Sequence, residues 1–219
     1  MICFINIEKY KIFCFDFDGV IIESSHLKTI AYNELFEKYF PDKIEKIRDY
    51  HLKNSGLMRY KKIRYICENI AKIKDADELI NQMIEEYEKD IFEKVIKCPL
   101  VKGIIEYLDY LKENKKDIYV ISGTPDDELK KIIELRGLAK YFVDIYGGSQ
   151  MKSYWLKKII AERQVNSNDI IFFGDGLNDY EAAAECSVDF VFRLTGENDY
   201  LKNQINYLQL YENYDKLLI

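Results

Sequence analysis

The chain has 219 residues, of which 48% are hydrophobic and 32% are charged. This composition excludes an intrinsically disordered chain, and the net charge of −6 argues against a nucleic-acid-binding protein, because phosphate backbones are bound mainly by an excess of Lys and Arg. The apolar stretches are far shorter than the roughly 20 residues of a membrane-spanning helix, so we expect no membrane partner. The length fits one domain that carries a large insertion, or two small domains.

The N-terminal segment 1–9 has neither the basic leader nor the continuous apolar run of a signal peptide. The five cysteines are scattered along the chain and form no Cys-x-x-Cys pair. We therefore expect a cytoplasmic protein whose thiols are reduced.

Short runs of aromatic and β-branched residues predict strands that are buried on both faces of a parallel sheet. The runs are Ile12–Phe15, Ile118–Ile121, Ile170–Phe173, Phe190–Phe192 and, more weakly, Phe142–Tyr146. Helix patterns lie between them, and one predicts a helix with Thr124 as its N-cap and Pro125 at its first position. The alternation of strands and helices is typical of a doubly wound α/β domain.

Between the first and second runs, a long stretch has no strand pattern, and turn-forming residues divide it into three or four amphipathic helices. The sequence therefore predicts an α/β core domain, residues 1–22 and 97–219, with an inserted helical domain, residues 23–96. Residues 42–64 contain eight basic and three acidic side chains, whereas residues 75–93 contain eight acidic side chains and one Lys. This segregation fits two solvated helix faces, or a basic face turned toward an anionic ligand.

Polar side chains follow three of the predicted strands at their carboxyl ends, where ligands bind in doubly wound sheets. The three segments are Asp16-Phe17-Asp18-Gly19, Ser122-Gly123-Thr124 and Gly174-Asp175-Gly176-Leu177-Asn178-Asp179. Taken singly, the acidic pair is a weak signal, and the second segment also fits a helix cap. The third fits a turn as well as it fits a divalent-cation site.

These segments, in this order and with Lys152 opening a later helix, resemble the four motifs of the haloacid dehalogenase superfamily of phosphohydrolases. The resemblance covers the chain from about Lys11 to Leu194. The helical insertion is similar to the cap that phosphoglycolate phosphatase-like and β-phosphoglucomutase-like members carry after the first motif. The resemblance implies a doubly wound, mostly parallel α/β core with an inserted α-helical cap. It also implies a Mg2+-dependent phosphatase that hydrolyses a small phosphorylated metabolite through an aspartyl-phosphate intermediate.

The resemblance assigns roles to the acidic residues and to the lysine. Asp16 would attack phosphorus, and Asp18 would protonate the leaving oxygen and then activate water. Mg2+ would be held by the Asp16 carboxylate, the Asp18 main-chain carbonyl and Asp175, with Asp179 in support. The ammonium group of Lys152 would complete the positive charge that a phosphate dianion needs.

The resemblance also assigns substrate contacts. Ser122 and the N–H of Gly123 would hold phosphate oxygens, and Thr124 belongs to the same turn. Gly123 stands where members of the superfamily often have Asn or another small residue, so a side-chain contact is absent at that position. In the inserted helices, basic and aromatic residues cluster around a glycine, and His51 and Arg59 are the candidates for contacts to the leaving group.

Four other functions are weighed against a phosphatase. A phosphomutase would share every core motif and differ in a cap that excludes water. A catalytically idle binding module would keep the fold without turnover, and a phosphonatase would need a Schiff-base lysine in the cap. A dehalogenase proper uses one catalytic Asp and no metal, so Asp18 and Asp175 argue against it.

Overall fold

The computed structural model of the chain describes residues 5–54 and 59–217. The chain divides into two compact units, one comprising Met1–Ser25 and Cys98–Ile219 and the other comprising His26–Lys97. The breaks between the units follow Ser25 and Lys97, whereas the predicted domain boundaries follow residues 22 and 96. Those boundaries stay a prediction.

Six strands lie in the described residues: β1 (Ile12–Phe15), β2 (Asp117–Ile121), β3 (Asp144–Tyr146), β4 (Ile170–Gly174), β5 (Asp189–Arg193) and β6 (Gln209–Tyr211). They form one sheet in the order β3-β2-β1-β4-β5-β6, and all neighbouring strands are parallel. The predicted α/β class with a doubly wound parallel sheet is confirmed. Strand β6 is missing from the predicted runs because Gln209-Leu210-Tyr211 contains no run of aromatic and β-branched residues.

The described residues also form eight α-helices. The first four are α1 (Ser25–Tyr39), α2 (Ile44–Lys53), α3 (Arg59–Tyr65) and α4 (Asp77–Lys97). The α/β unit contributes α5 (Ile104–Glu113), α6 (Asp126–Leu135), α7 (Lys152–Arg163) and α8 (Leu177–Cys186). None of these helices is long and apolar enough to cross a membrane.

The sheet is covered on both faces, because successive side chains of a strand point in opposite directions. On one face, Cys14 of β1 belongs to a core that includes Leu156 of α7 and Ala183 of α8. On the other face, the ring of Phe15 contacts Tyr107 of α5, with ring centres 6.4 Å apart. All four residues of β1 are therefore buried, and the strand is apolar throughout instead of alternating with polar residues.

The cysteines of the described residues form no disulfide. Cys14, Cys67, Cys98 and Cys186 are not disulfide-bonded, and Cys3 lies outside the described residues. Burial raises the pKa of Cys14 and raises the pKa of Cys67 to about 11, so these two thiols stay protonated and unreactive at neutral pH.

In the helical unit, the basic and the acidic segments are joined by ion pairs. Arg59 of α3 lies 2.8 Å from Glu88 of α4, and Arg64 lies 2.6 Å from Asp77. Part of the segregated charge is therefore neutralised inside the unit, an arrangement that neither of the two interpretations from the sequence includes. Pairs that are this exposed contribute little to stability.

Candidate active site

The strand order of the sheet reverses between β1 and β4. From β1 the chain continues to β2 and β3 on one side, and it then crosses to β4, β5 and β6 on the other. In doubly wound sheets, ligands bind beyond the carboxyl ends of the strands at such a switch point. Asp16 directly follows β1 and Asp175 directly follows β4, so the topology brings both residues to this point.

Three carboxylates and one ammonium group meet at the switch point. One oxygen from each of Asp16, Asp175 and Asp179 lies within 4.8 Å of the other two. The Lys152 ammonium lies 2.9 Å from Asp16 Oδ1 and 2.5 Å from Asp179 Oδ1. The second oxygen of Asp179 accepts hydrogen bonds from the N–H groups of Asp175 and Gly176, which fixes the carboxylate at the start of α8.

The charges of this cluster are strongly coupled. Burial raises the pKa of Asp16, and the neighbouring Lys152 ammonium opposes that effect. Burial, together with the charge of Asp16, raises the pKa of Asp175 well above its ordinary value. Burial alone would lower the pKa of Lys152, but Asp16 and Asp179 raise it. The three carboxylates can carry more negative charge than one ammonium group neutralises, so the cluster favours binding of a further cation.

The donor set fits Mg2+, a hard cation that binds carboxylate oxygens. Asp16, Asp175 and Asp179 are the side chains that would hold it. Gly19 lies so close to Asp175 that only a residue without a Cβ fits, because a Cβ at this position would lie 2.1 Å from Asp175 Oδ2. Its φ of +71° also favours glycine. The main-chain carbonyl of Asp18, the remaining proposed ligand, stays a prediction.

Two hydroxyl groups hold the carboxylate of Asp18. Ser24 Oγ donates to Oδ1 at 2.6 Å, and Thr124 Oγ1 donates to Oδ2 at 2.9 Å. The prediction that Thr124 caps a helix with Pro125 at its first position is wrong. The helix α6 begins at Asp126, and Pro125 takes the cap position with φ −51° and ψ 143°. The physical reason is that the Thr124 hydroxyl is used by Asp18, which lies far away in the sequence.

The turn after β2 has a buried hydroxyl next to open space. Ser122 is 2% exposed, and its Oγ accepts a hydrogen bond from the N–H of Thr124 at 3.1 Å. Gly123 is exposed, and among the described residues no atom other than those of its chain neighbours lies within 4 Å of the position that a Cβ would take. Such a turn has room for an anion beside its backbone. The phosphate contacts assigned to these residues stay a prediction.

The segment 147–149, which precedes Lys152, is held by two side chains whose role is not predicted from the sequence. The carboxylate of Asp126 accepts hydrogen bonds from the N–H groups of Gly147 at 2.9 Å and Ser149 at 3.1 Å. Trp155 Nε1 donates to the Gly147 carbonyl at 2.9 Å. No local pattern in the sequence reveals the contact of Asp126 with a partner 21 residues away.

His51 and Arg59 belong to the helical unit. His51 is 7% exposed, and burial, together with the charge of Lys62, lowers its pKa to about 4, so it is neutral at neutral pH. Arg59 is paired with Glu88, and its guanidinium lies 4.8 Å from the centre of the Tyr87 ring. Their predicted substrate contacts stay a prediction.

The helical unit contains a buried lysine, which leads to a stability prediction. Lys62 is 4% exposed, and burial, together with the charge of Lys28, lowers its pKa from 10.5 to about 8. A shift of this size corresponds to a cost of about 3 kcal/mol for keeping the folded side chain charged. We expect Lys62→Met to raise the free energy of unfolding of this unit at pH 7, as measured by denaturant unfolding. The gain is smaller than the full cost of burial, because the contacts of the ammonium group with His51 and with the Tyr32 ring are lost.

The pH dependence of this effect has a definite sign. Between about pH 8 and pH 10.5 the unfolded chain binds one proton more at Lys62 than the folded chain does, so the stability of the wild type rises with pH in this window. The gain from Lys62→Met is therefore complete below pH 8 and disappears above pH 10.5. Lys61→Met changes an exposed neighbour and serves as the control. Equal stabilities of the two variants would contradict the prediction.

The family model for haloacid dehalogenase-like hydrolases matches residues 13–192 of the chain. A phosphorylated carbohydrates phosphatase from Thermotoga maritima is 24% identical over 185 residues, which are 81% of this chain and 82% of that protein. A phosphoglycolate phosphatase from Vibrio parahaemolyticus is 23% identical over 185 residues, 80% of each chain.

A crystal structure of a predicted phosphoglycolate phosphatase from Haemophilus somnus has the same fold. Its TM-score is 0.75 at 15% identity, and the comparison covers 96% of this chain and 97% of that one. The family match and the phosphatase names of both curated relatives indicate phosphatase activity. The chain belongs to the haloacid dehalogenase-like hydrolase family.

Proposed function

We propose that the chain is a Mg2+-dependent phosphatase that hydrolyses a small phosphorylated metabolite through an aspartyl-phosphate intermediate. The observation that carries this proposal is the meeting of Asp16, Asp175, Asp179 and Lys152 at the switch point of the sheet. A carboxylate placed among other acids and one ammonium group is suited to attack at phosphorus only where additional positive charge balances the phosphate dianion. Mg2+ held by these carboxylates would supply that charge.

In the proposed reaction, an oxygen of Asp16 attacks phosphorus, the bond between phosphorus and the leaving oxygen breaks, and an acyl phosphate forms on Asp16. Lys152 holds Asp16 at 2.9 Å and keeps its own positive charge because its pKa is raised. Ser122 and the backbone of Gly123 bind phosphate oxygens in the open space of their turn.

Asp18 acts as the general acid and base. It donates a proton to the leaving oxygen, and it later takes a proton from the water that attacks the acyl phosphate, which releases phosphate and restores Asp16. The hydrogen bonds from Ser24 and Thr124 fix the orientation of its carboxylate. A fixed orientation matters because proton transfer requires a donor and an acceptor within hydrogen-bond distance.

The substrate proposal rests on the two curated relatives, which are named for phosphorylated carbohydrates and for phosphoglycolate. We infer that this chain acts on a phosphate ester of the same size class. His51 and Arg59 are kept as proposed substrate-binding residues, with His51 acting as a neutral hydrogen-bonding group at neutral pH.

Phosphate release from a panel of esters tests the proposal. The panel contains sugar phosphates, phosphoglycolate, nucleoside monophosphates and p-nitrophenyl phosphate, each assayed with Mg2+ and again after exhaustive chelation. We expect release that needs Mg2+ and that favours one chemical group. Release that survives chelation would contradict the metal assignment, and Mg2+ binding without turnover of any ester would contradict the enzyme assignment. Isomerised sugar phosphate without free phosphate would identify a mutase.

A further inference from the structure

The segment that follows Asp18 is anchored to the last residue of β5. Arg193 is only 4% exposed, and its guanidinium donates three hydrogen bonds. Nη1 donates to the Gly19 carbonyl at 2.7 Å, Nη2 to Glu23 Oε1 at 2.6 Å, and Nε to the Glu212 carbonyl at 2.9 Å. One buried side chain therefore joins both ends of the segment 19–23 to the C-terminal part of the chain.

A second buried side chain supports the same segment. Tyr214 has no exposed surface, and its hydroxyl donates to the Val20 carbonyl at 3.1 Å. The hydroxyl of Tyr211 in β6 donates to the Tyr214 hydroxyl at 3.0 Å. The carbonyls of two consecutive residues, Gly19 and Val20, are thus bound by side chains from β5 and from the residues after β6.

The anchored segment leads directly to two hydroxyl groups that contact acidic residues of the site. Ser24 donates to Asp18 at 2.6 Å, and Ser25 donates to Asp175 at 2.9 Å. The space around this segment is tight, because a Cβ on Gly19 would lie 2.1 Å from both Ser25 Oγ and Asp175 Oδ2. A shift of the segment would therefore move the hydroxyl partners of both carboxylates.

We propose that Arg193 is a positioning residue, which sets the orientation of Asp18 for proton transfer through Gly19, Glu23 and Ser24, and that Tyr214 supports it. The proposal rests on the proposed phosphatase function. Both residues lie beyond residue 192, where the family match ends, whereas the groups of the segment 19–23 that they bind lie within the matched region.

The chemistry of arginine suits this role. A guanidinium presents several N–H donors in a rigid planar fork, and here they bind two backbone carbonyls and one carboxylate at the same time. A lysine has one flexible ammonium group and cannot reproduce this geometry, although it keeps the charge. Arg193→Lys therefore separates the geometry of the anchor from its charge.

Steady-state kinetics with p-nitrophenyl phosphate and Mg2+ tests the proposal. We expect Arg193→Lys to lower kcat by roughly tenfold or more with a much smaller change in KM, because small displacements of a catalytic group reduce turnover by large factors. Arg193→Met should lower kcat further. Arg163→Lys, on the exposed side of α7, is the matched control and should leave kcat unchanged.

Two milder variants keep the test valid if a change at Arg193 prevents folding. Glu23→Gln weakens one of the three hydrogen bonds, and Tyr214→Phe removes only the hydroxyl that binds Val20. Both should lower kcat by a smaller factor than Arg193→Lys. Hydrogen exchange of peptides covering residues 17–25, measured on the same proteins, should be faster than in the wild type for every variant that disturbs the anchor.

The outcomes are separable from those of the proposed function. Folded variants that are less stable but turn over at the wild-type rate would overturn the positioning role and leave Arg193 as a structural residue. Unchanged exchange in residues 17–25 would also overturn it. If the wild type hydrolyses no ester, the phosphatase proposal fails, and the exchange measurement still decides whether Arg193 anchors the segment.

Discussion

An Asp16→Asn protein is expected to keep its fold and to lose at least roughly a thousandfold in kcat, because an amide cannot form the acyl phosphate on which the proposed reaction depends. The measurement is Mg2+-dependent phosphate release from the best ester of the panel, with the unfolding midpoint of the same sample. Asn has nearly the same volume as Asp, and no charge is left to be desolvated at this buried position. We therefore expect a change of about 1 kcal/mol or less from packing. Lys152 loses one of its two carboxylate partners but keeps the ion pair with Asp179, so its charge stays balanced.

The control for this substitution is Asp127→Asn, which makes the same chemical change on the exposed side of α6. It should leave both turnover and stability as in the wild type. If Asp16→Asn turns over at the wild-type rate, Asp16 is not the nucleophile. If Asp16→Asn is unfolded, the loss of turnover says nothing about chemistry, and the stability measurement detects this case directly.

The sheet could be predicted from the sequence because its signals are local. Ile12–Phe15 and Ile170–Phe173 are uninterrupted apolar runs, and a strand covered on both faces needs such a run. Strand β6 gives no comparable signal, because Gln209–Tyr211 is short and two of its three residues are only partly buried. Its position follows from pairing with β5, which is a long-range property.

The candidate site was only partly predictable. Asp16 and Asp175 follow strong strands, so topology alone brings them together. The residues that orient the site could not be predicted in this way. Thr124, Asp126 and Arg193 act through side-chain contacts with segments that are distant in the sequence. In the sequence, each of these residues has an ordinary local explanation, such as a helix cap or a strand end. Only the three-dimensional structure reveals the partner.

The second large effect is expected for Lys152→Met. The ammonium group is the only cation within hydrogen-bond distance of Asp16 and Asp179 among the described residues, and its side chain is 14% exposed. Its removal leaves buried carboxylates without their partner. Deleting one member of a buried ion pair lowers the free energy of unfolding by about 3–5 kcal/mol. Turnover should fall by roughly a hundredfold or more, because positive charge at the phosphate is lost.

Mg2+ provides a measurement that does not depend on turnover. If the carboxylates hold the cation as proposed, Mg2+ should stabilise Lys152→Met more than it stabilises the wild type. In the variant, Mg2+ neutralises the excess negative charge that it also neutralises in the wild type, and it replaces the positive charge of the deleted ammonium group as well. The readout is the shift of the unfolding midpoint between chelator and saturating Mg2+.

Lys157→Met is the matched control, since Lys157 lies on the same helix but is exposed and pairs with Glu185 at the surface. Its unfolding midpoint and its response to Mg2+ should equal those of the wild type. A Lys152→Met protein that gains no more from Mg2+ than the wild type would show that the lysine and the cation do not share these carboxylates. In that case, the deficit of positive charge at Asp16 and Asp179 would be met by protonation, and the metal would have to bind elsewhere.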